Sequence, residues 1–297
     1  MSFASALAEH AGAGAPTLGA HLYLWAASSA TAELDRAIAA AQAQGMDFVQ
    51  VSLSSLDDLD VAAVRDSLVK HQMSCITGLA VPETVWAGRR HGALRRYLER
   101  AIDATADLGS DFLSGSLYTP MGERGGAACR REELDLLRDS LKEVAKYAAS
   151  LGIRLGLEPM NRYETSLINT CQQALEFIDE IDEQNVLVHL DTFHMNIEEQ
   201  DLSAALLLAG ERLGYVQLAE SDRGVPGDGH LPWDSVFAGL RDLSYKGPLA
   251  FESFTSENRV LAAAGCLWRD VVGDPDDFVK RGWQQLRARA ELVGYDM

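Results

Sequence analysis

The sequence of residues 155–164 is LGLEPMNRYE, a short apolar run that leads into the carboxylate Glu158. Pro159 follows directly and has no N–H to give to a β-ladder, so a strand that begins in this run ends at Glu158. A buried strand that ends in an acid is costly unless the charge is paired or bound to a cation. The segment therefore predicts a buried strand with a functional carboxylate at its carboxyl end.

Three later segments have the same pattern of an apolar run that carries an oxygen donor near its end. They are residues 186–191 (VLVHLD), residues 215–220 (YVQLAE) and residues 249–252 (LAFE). Side chains alternate between the two faces of a strand, and this parity puts Glu158, Asp191, Gln217 and Glu252 on one face and the apolar residues on the other. The pattern predicts four parallel strands whose donors meet at one end of a sheet.

The same unit of strand followed by helix recurs through the rest of the chain. Earlier strands are expected at residues 19–25, 48–53, 75–80 and 112–118, and helices at residues 31–44, 60–71, 92–108, 131–150, 170–181, 202–212 and 233–243. Eight strands alternating with helices over residues 17–297 predict a single-domain (β/α)₈ TIM barrel, with the last helices, at residues 259–271 and 277–292, packed outside. Residues 1–16, rich in Ala and Gly, are expected to form a loosely ordered extension.

A doubly wound open sheet is the alternative to the barrel. No glycine-rich phosphate loop follows the first expected strand, which counts against a dinucleotide-binding fold.

Composition excludes several classes of function. The 297 residues include 44 acidic and 26 basic side chains, for a net charge of -18, which argues against a nucleic-acid partner. The four cysteines have no CxxC spacing, so neither a disulfide framework nor a thiolate zinc site is expected. No apolar run reaches membrane-spanning length and no secretory signal is evident in the first sixteen residues. We expect a cytoplasmic protein without a membrane partner.

The converging donors are Glu158, Asp191 and Glu252 together with the amide oxygen of Gln217. Three carboxylates at one site repel one another strongly unless a cation is present. An all-oxygen shell with open positions suits a divalent cation of the Mn²⁺, Mg²⁺ or Co²⁺ type better than zinc. The alternative is that these acids are mouth residues that pair with Arg162, Arg223 or Lys246.

Four motifs carry a resemblance to a known family. They are NRYE at residues 161–164, LDTFHMNIEE at residues 190–199, Glu220 with Arg223, and GHLPW at residues 229–233. Together they resemble the ketose 3-epimerases (D-tagatose and D-allulose 3-epimerases), which belong to the xylose-isomerase-like sugar isomerase and epimerase TIM barrels. The resemblance runs from about Gly19 to residues 268–270 and is closer in the second half of the chain.

The resemblance implies roles for individual residues. Glu158, Asp191 and Glu252 would be metal ligands, with Mn²⁺ as the first candidate, and Glu158 and Glu252 would also be the acid/base pair. The fourth family ligand is a histidine, and Gln217 stands in its place here. An amide oxygen can still bind a hard cation. The departure bears on metal preference and on the exact reaction.

The implied reaction is C3 epimerisation of a ketose through a cis-ene-diolate. Glu164, His194 and Arg223 would hold the O1–O3 end of the small-molecule sugar substrate, and the family implies a homodimer or homotetramer. The alternatives are an aldose–ketose or hydroxypyruvate-type isomerase, and a keto-sugar lyase or dehydratase, all of which use the same intermediate. A non-catalytic sugar-binding barrel would be expected to have lost Glu158 or Glu252, and both are present.

Further residues have less direct support. His21, Tyr23 and Trp25 share the inward parity of the first strand, and His21 departs from the apolar or aromatic residues of the family, so it is expected in the sugar pocket. Glu220 has the opposite parity from Gln217 and is expected to orient Arg223. His189 and Trp233 are expected to be packing residues.

Overall fold

The structure is a computed structural model that describes residues 15–86, 91–123 and 130–297. In these residues eight parallel strands close into a barrel, and each strand pairs with the strands before and after it in the chain. The strands are β1 Leu18–His21, β2 Phe48–Ser52, β3 Ser74–Ala80, β4 Phe112–Ser116, β5 Arg154–Leu157, β6 Val186–Asp191, β7 Leu213–Leu218 and β8 Leu249–Phe251. The predicted (β/α)₈ barrel is confirmed.

Helices lie between the strands and after the last of them. They are α1 Thr31–Ala43, α2 Val61–Lys70, α3 Glu83–Trp86, α4 His91–Asp107, α5 Arg130–Ser150, α6 Cys171–Ile181, α7 Thr192–Glu198, α8 Leu202–Ala209, α9 Trp233–Asp242, α10 Arg259–Ala264 and α11 Pro275–Val293. Side-chain oxygens of Asp60, Thr170, Asp201 and Asp274 accept backbone N–H bonds in the first turns of α2, α6, α8 and α11. These caps explain why those helices start where the sequence predicts.

Glycine occupies the joints between helix and strand that the sequence marked. Gly45, Gly109 and Gly152 have φ angles of 77°, 78° and 74°, a conformation that glycine adopts without strain. Each ends a helix in a left-handed turn, and the next strand begins two or three residues later.

Two apolar clusters pack on the two faces of the barrel sheet. The larger cluster joins outward-facing strand residues such as Val49, Val188 and Val216 to the surrounding helices. The smaller cluster fills the barrel interior with Phe48, Ile76, Phe112, Tyr215 and Ala250. Phe48 and Phe112 are the first residues of β2 and β4, so this interior cluster closes the barrel beneath the carboxyl ends of the strands.

The first strand is shorter than predicted. It ends at His21, and Leu22–Leu24 form a 3₁₀ turn because the imidazole Nδ1 of His21 accepts the backbone N–H of Tyr23 at 3.1 Å. This local bond replaces the ladder pairing that a longer strand would need. The shared strand parity of Tyr23 and Trp25 with His21 was therefore wrong.

Several helix predictions also need correction. The helix predicted at residues 202–212 ends at Ala209 and a 3₁₀ turn follows, and the helix predicted at residues 259–271 ends at Ala264. α7 was not predicted from the sequence. This helix starts directly after β6 with no intervening loop, because Asp191 both ends β6 and caps α7 by accepting the N–H of Phe193.

The structure describes the last helices of the chain but only a small part of the extension predicted at its start. α11 packs against α9 outside the barrel, as predicted for the last helices. Most of the extension predicted at residues 1–16 lies outside the described residues. Within the described ranges, no helix is both long enough and apolar enough to cross a membrane.

Candidate active site

The four strand-end donors lie together at the carboxyl end of the barrel. Glu158 directly follows β5, Asp191 ends β6, Gln217 is the penultimate residue of β7 and Glu252 directly follows β8. Asp191 pairs in register with Gln217, and Gln217 with Ala250, so neighbouring strands present these donors side by side. All four side chains are buried, with at most 8% of each residue exposed. This is the arrangement that strand parity predicted, at the end of the barrel where TIM-barrel enzymes place their sites.

Arg223 lies between two of the carboxylates. Its Nη1 donates to Asp191 Oδ2 at 2.8 Å and also to Glu252 Oε2. The guanidinium carbon is 4.0 Å from the centre of the Phe193 ring. Although burial opposes the charge, Asp191 and Glu252 raise the pKa of Arg223 above its usual value, so this site contains a permanent positive charge. Of the three cations considered as partners, Arg223 pairs with the acids, whereas Arg162 binds Glu198 at 3.0 Å.

The backbone of Arg223 is held in an unusual conformation. Its φ angle is 63°, in the left-handed region that few non-glycine residues adopt. The N–H of Arg223 donates to the carbonyl of Glu220 at 2.9 Å, and the hydroxyl of Ser253 donates to the carbonyl of Arg223 at 2.6 Å. These bonds fix the side chain against Asp191 and Glu252. Left-handed residues held in this way are frequent at functional sites.

Burial and mutual repulsion favour the protonated forms of Glu158 and Asp191. Burial, followed by the charges of Glu252 and Asp191, raises the pKa of Glu158 well above its usual range. Burial also raises the pKa of Asp191 to about 6, against the opposing charge of Arg223. A carboxyl group with a raised pKa can give and take a proton near neutral pH, which is the requirement for acid/base catalysis.

His194 presents an N–H group to the carboxylates. Its Nδ1 accepts the backbone N–H of Asn161 at 3.2 Å and lies 2.9 Å from Asn161 Nδ2. The Asn161 amide is oriented by the N–H of Tyr163, which donates to Asn161 Oδ1 at 2.9 Å. Because burial lowers the pKa of His194 to about 4, the ring is neutral and its single hydrogen lies on Nε2. Nε2 is 3.5 Å from Glu158 Oε1 and 3.6 Å from Asp191 Oδ2.

This tautomer bears on which residues could hold a metal. Ligand atoms of Glu158, Asp191 and His194 lie within 4.8 Å of one another and form a possible metal-binding triad. A histidine that binds a metal usually donates its other N–H to an acceptor. His194 does the opposite, since its second nitrogen accepts from Asn161. Its geometry suits a donor to substrate oxygens better than a metal ligand.

Gln217 offers an oxygen with no hydrogen-bond partner. Its Nε2 donates to Gln50 Oε1 at 2.8 Å, and its Oε1 is buried and unpartnered among the described residues. An orphaned buried acceptor is unfavourable unless a donor or a cation satisfies it. Beside Asp191, this oxygen adds a neutral ligand to a carboxylate set, and such a set suits a hard divalent cation. The donors present therefore fit the metal that the sequence predicts.

Two further predicted residues line the cavity at the barrel mouth. Glu164 Oε1 accepts from Asn161 Nδ2 at 2.9 Å, while Glu164 Oε2 is buried without a partner in the described chain. His21 lies at the end of β1, and its Nδ1 is occupied by the Tyr23 N–H. Burial, followed by the charge of Arg223, lowers the pKa of His21 to about 3, so the ring is neutral and Nε2 is a donor.

Sequence reasoning missed the polar residues that the first half of the barrel contributes. Gln50, Ser52, Ser54 and Ser116 line the mouth cavity beside His21. Gln50 had the same signal as Gln217, a polar residue of inward parity in an apolar strand. The serines had no signal that distinguishes them from ordinary loop residues.

Glu220 bears on Arg223 through its backbone carbonyl, which accepts the Arg223 N–H, whereas its carboxylate bonds to other groups. Its carboxylate accepts the N–H groups of Ser221, Gly227 and Leu231 and the indole N–H of Trp233. Although burial opposes ionisation, these bonds lower the pKa of Glu220. Glu220 therefore anchors the loop of residues 221–233, and Trp233 has the structural role expected of it.

Two cavities at opposite ends of the barrel differ in chemistry. The mouth cavity of about 80 Å³ is lined by Glu158, Glu164, His194, Arg223 and Glu252. A larger cavity of about 400 Å³ lies at the amino end of the strands and has one carboxylate, Asp47, which already accepts the N–H of Leu18 at 2.8 Å. Only the smaller of these two has the groups that proton transfer needs.

Comparisons with known proteins agree on the fold and on a class of enzyme. A family model described as xylose isomerase-like TIM barrel matches residues 38–271. The chain is 34% identical over 277 residues to an L-ribulose 3-epimerase of Methylomonas sp. (strain DH-1), which covers 91% of this chain and 96% of that protein. It is 32% identical over 263 residues to a ketose 3-epimerase of Arthrobacter globiformis, covering 85% and 91%. A crystal structure of D-allulose 3-epimerase from Methylomonas sp. in complex with D-allulose superposes with a TM-score of 0.88 at 34% identity, covering 93% and 98%.

Proposed function

The chain belongs to the xylose isomerase-like TIM barrel family and, within it, to the ketose 3-epimerases, and we propose that it epimerises a ketose at C3 with a divalent cation and two glutamates. The observation that carries the proposal is the convergence of Glu158, Asp191 and Glu252 in one buried site, next to Gln217, whose Oε1 has no hydrogen-bond partner among the described residues. Structural acids of a barrel rim have no reason to converge in this way, and burial raises the pKa values of Glu158 and Asp191.

Glu158, Asp191, Gln217 and Glu252 would hold the cation. Mn²⁺ is the first candidate, and Mg²⁺ or Co²⁺ would suit the same oxygen-rich shell. When bound, such a cation polarises the carbonyl of the substrate and so makes the neighbouring C3–H bond more acidic.

Glu158 and Glu252 would move the proton. One carboxylate removes the C3 proton from one face of the sugar, and the other, in its protonated form, returns a proton to the opposite face. The two residues exchange roles when the substrate is the other epimer. The raised pKa of Glu158 supports this assignment, because a protonated carboxyl must be available at neutral pH.

The remaining polar groups would position the substrate. The Arg223 guanidinium and the His194 Nε2–H are donors that face the carboxylates, and they would stabilise the negative charge that develops on the ene-diolate oxygens. Glu164 would accept from a substrate hydroxyl at the same end. The His21 Nε2–H would contact the sugar from the first half of the barrel.

The relatives named above act on L-ribulose, ketoses and D-allulose, and we infer a free ketopentose or ketohexose as the substrate class. The homodimer or homotetramer stays a prediction from the resemblance, and the cytoplasmic location stays a prediction from the cysteine pattern and the absence of an evident signal or membrane-spanning run. Because Gln217 stands in place of the family histidine, the exact reaction is open, and aldose–ketose or hydroxypyruvate-type isomerisation is the second candidate. A lyase or dehydratase step on a keto-sugar would use the same groups.

Incubation with a panel of ketoses in heavy water separates these reactions. With Mn²⁺-loaded protein, we expect deuterium at C3 of a product with inverted configuration. Deuterium at C1 or C2 together with an aldose product would establish the isomerase instead, and loss of water or of a leaving group would indicate the lyase or dehydratase. No exchange into any ketose would overturn the proposed enzyme. Heat-inactivated protein is the control for spontaneous exchange.

A further inference from the structure

A buried hydrogen bond connects Gln50 and Gln217 across the barrel interior. Gln50 belongs to β2 and Gln217 to β7, which are not neighbours in the sheet. Gln217 Nε2 donates to Gln50 Oε1 at 2.8 Å, and the hydroxyl of Tyr215 donates to the same oxygen at 2.6 Å. Gln50 and Gln217 are 6% and 1% exposed, so water does not compete freely for these bonds.

The orientation of an amide decides whether it can bind a cation. The oxygen and nitrogen ends of a glutamine side chain have nearly the same shape, but only the oxygen has lone pairs for a metal. The group that faces the cation site is therefore set by the partner of the other end. With Gln50 Oε1 accepting from it, Gln217 turns its nitrogen away. Its Oε1 has no hydrogen-bond partner among the described residues, and residue 217 pairs in register with Asp191.

Tyr215 keeps the Gln50 amide in this orientation. Its ring stacks on His189 with 4.6 Å between centroids and makes edge contacts with Phe48 and Phe112 at 6.4 and 6.2 Å. A ring packed on three sides holds its hydroxyl in place. If Gln50 turned over, its Nε2 would meet Gln217 Nε2, donor against donor, and that repulsion would turn the oxygen of Gln217 away from the site.

The need for this support follows from the residue at position 217. A histidine ligand is oriented by its ring and a single outer hydrogen bond, whereas an amide ligand has two interchangeable ends. Groups behind a metal ligand that fix its orientation contribute strongly to metal affinity.

We propose that Gln50, held by Tyr215, is a positioning residue that orients the Gln217 amide with Oε1 toward the cation. The inference rests on the proposed function, because it assumes that Gln217 is a metal ligand. It assigns the first half of the barrel a role in metal binding that strand-end ligands alone do not suggest.

Mn²⁺ affinity of the metal-stripped protein tests this role without any assay of catalysis, by the electron paramagnetic resonance signal of free Mn²⁺. Gln50→Met keeps the volume and removes the acceptor, and we expect it to weaken Mn²⁺ binding about 10- to 100-fold. Gln50→Glu keeps an acceptor and cannot offer a donor, so it should bind Mn²⁺ at least as tightly as the wild type. Tyr215→Phe removes one hydroxyl and should weaken binding less than Gln50→Met.

A double variant separates positioning from a general loss of structure. If Gln50 acts through Gln217, the variant Gln50→Met with Gln217→Met should bind Mn²⁺ no more weakly than Gln217→Met alone. Gln285→Met is the matched control and should leave Mn²⁺ affinity unchanged. Gln285 lies on α11, and the substitution removes an amide that donates to Asp228 at 2.7 Å.

The outcomes distinguish this inference from the proposed function. An unchanged Mn²⁺ affinity in Gln50→Met, or additive losses of affinity in the double variant, would overturn the positioning role. The proposed function would still stand as long as the wild type binds Mn²⁺. If the wild type binds no Mn²⁺, both fail. If Gln50→Met does not fold, the comparison of Tyr215→Phe with Gln50→Glu decides, and equal affinities would overturn the role.

Discussion

The two halves of the barrel contribute different chemistry to the same mouth. Strands β5–β8 end in Glu158, Asp191, Gln217 and Glu252, three of which are acids. Strands β1–β4 contribute neutral side chains to the mouth cavity, such as His21, Gln50, Ser52 and Ser116.

The difference indicates a division of labour. Proton transfer and cation binding need charged groups at fixed spacing, which strand ends provide. Sugar recognition needs neutral donors and acceptors that can vary without disturbing the charged set. On the proposed function, the second half sets the reaction, and the first half, apart from Gln50, sets the substrate.

Removal of divalent cations should have the largest effect on activity, and it tests the role assigned to the second half of the barrel. We expect a chelator to reduce epimerisation at least about 1,000-fold, because the carbonyl of the substrate loses its polarising charge. Added Mn²⁺ should restore activity, and circular dichroism should show the same fold with and without the cation. Activity that survives exhaustive chelation would show that the acids of the second half work without a metal.

Replacing either glutamate should come next in magnitude. Glu158→Gln and Glu252→Gln keep the shape and remove the proton carrier, and each should lower kcat/KM about 1,000-fold, or about 4 kcal/mol. Ser52→Ala, in the first half, should lower it less than tenfold. Glu176→Gln, which removes a surface acid on α6 bonded to Gln172, is the control for loss of charge. Similar losses of kcat/KM in Ser52→Ala and in the glutamate variants would contradict the assignment of different roles to the two halves of the barrel.

Acid pH should lower the unfolding free energy through His21, which belongs to the first half of the barrel. His21 has a folded-state pKa of about 3, below its usual value, so between pH 7 and pH 5 the unfolded chain takes up a proton at this residue and the folded chain does not. The wild type should therefore lose about 2 kcal/mol of unfolding free energy relative to His21→Phe over this interval.

Asp191, in the second half of the barrel, should respond with the opposite sign. In the metal-free protein, burial raises the pKa of Asp191 to about 6, so the folded chain takes up that proton first and a falling pH favours folding. Denaturant unfolding of the wild type and His21→Phe at both pH values isolates the contribution of His21. A stability difference that does not change with pH would mean that the imidazole is protonated in the folded state.

Gln217→His should produce the smallest of these effects. An imidazole is a softer ligand than an amide oxygen, so the affinity for Co²⁺ relative to Mg²⁺ should rise about tenfold. Isothermal titration of the metal-stripped protein with each cation measures this ratio. An unchanged ratio would indicate that residue 217 lies outside the coordination shell.

The sequence predicted the second half of the site well because its signals are local. An acid at the end of an apolar strand and a period of two residues placed Glu158, Asp191 and Glu252 at one end of the barrel. The same signals gave the strand order of a single barrel, since glycine joints such as Gly109 marked where each unit begins.

The rest depended on particular side-chain hydrogen bonds, some of them local and some between distant residues. The end of β1 depends on a bond that His21 makes to its own backbone neighbourhood, and the role of Glu220 depends on a loop that folds back over it. The pairing of Gln50 with Gln217 joins strands 167 residues apart. No pattern of neighbouring residues reveals such a contact, although the polar residue in β2 could have been noted.

The position of Arg223 also bears on how the proposed cation would enter the site. Its guanidinium already pairs with both Asp191 and Glu252, so the folded chain has a positive charge between these acids before any divalent cation binds. On the proposed function, the barrel can therefore fold first and bind a divalent cation from the cell afterwards. Exchange of one divalent ion for another would then require no unfolding, and the ion found in the native protein would reflect its surroundings as well as its ligands.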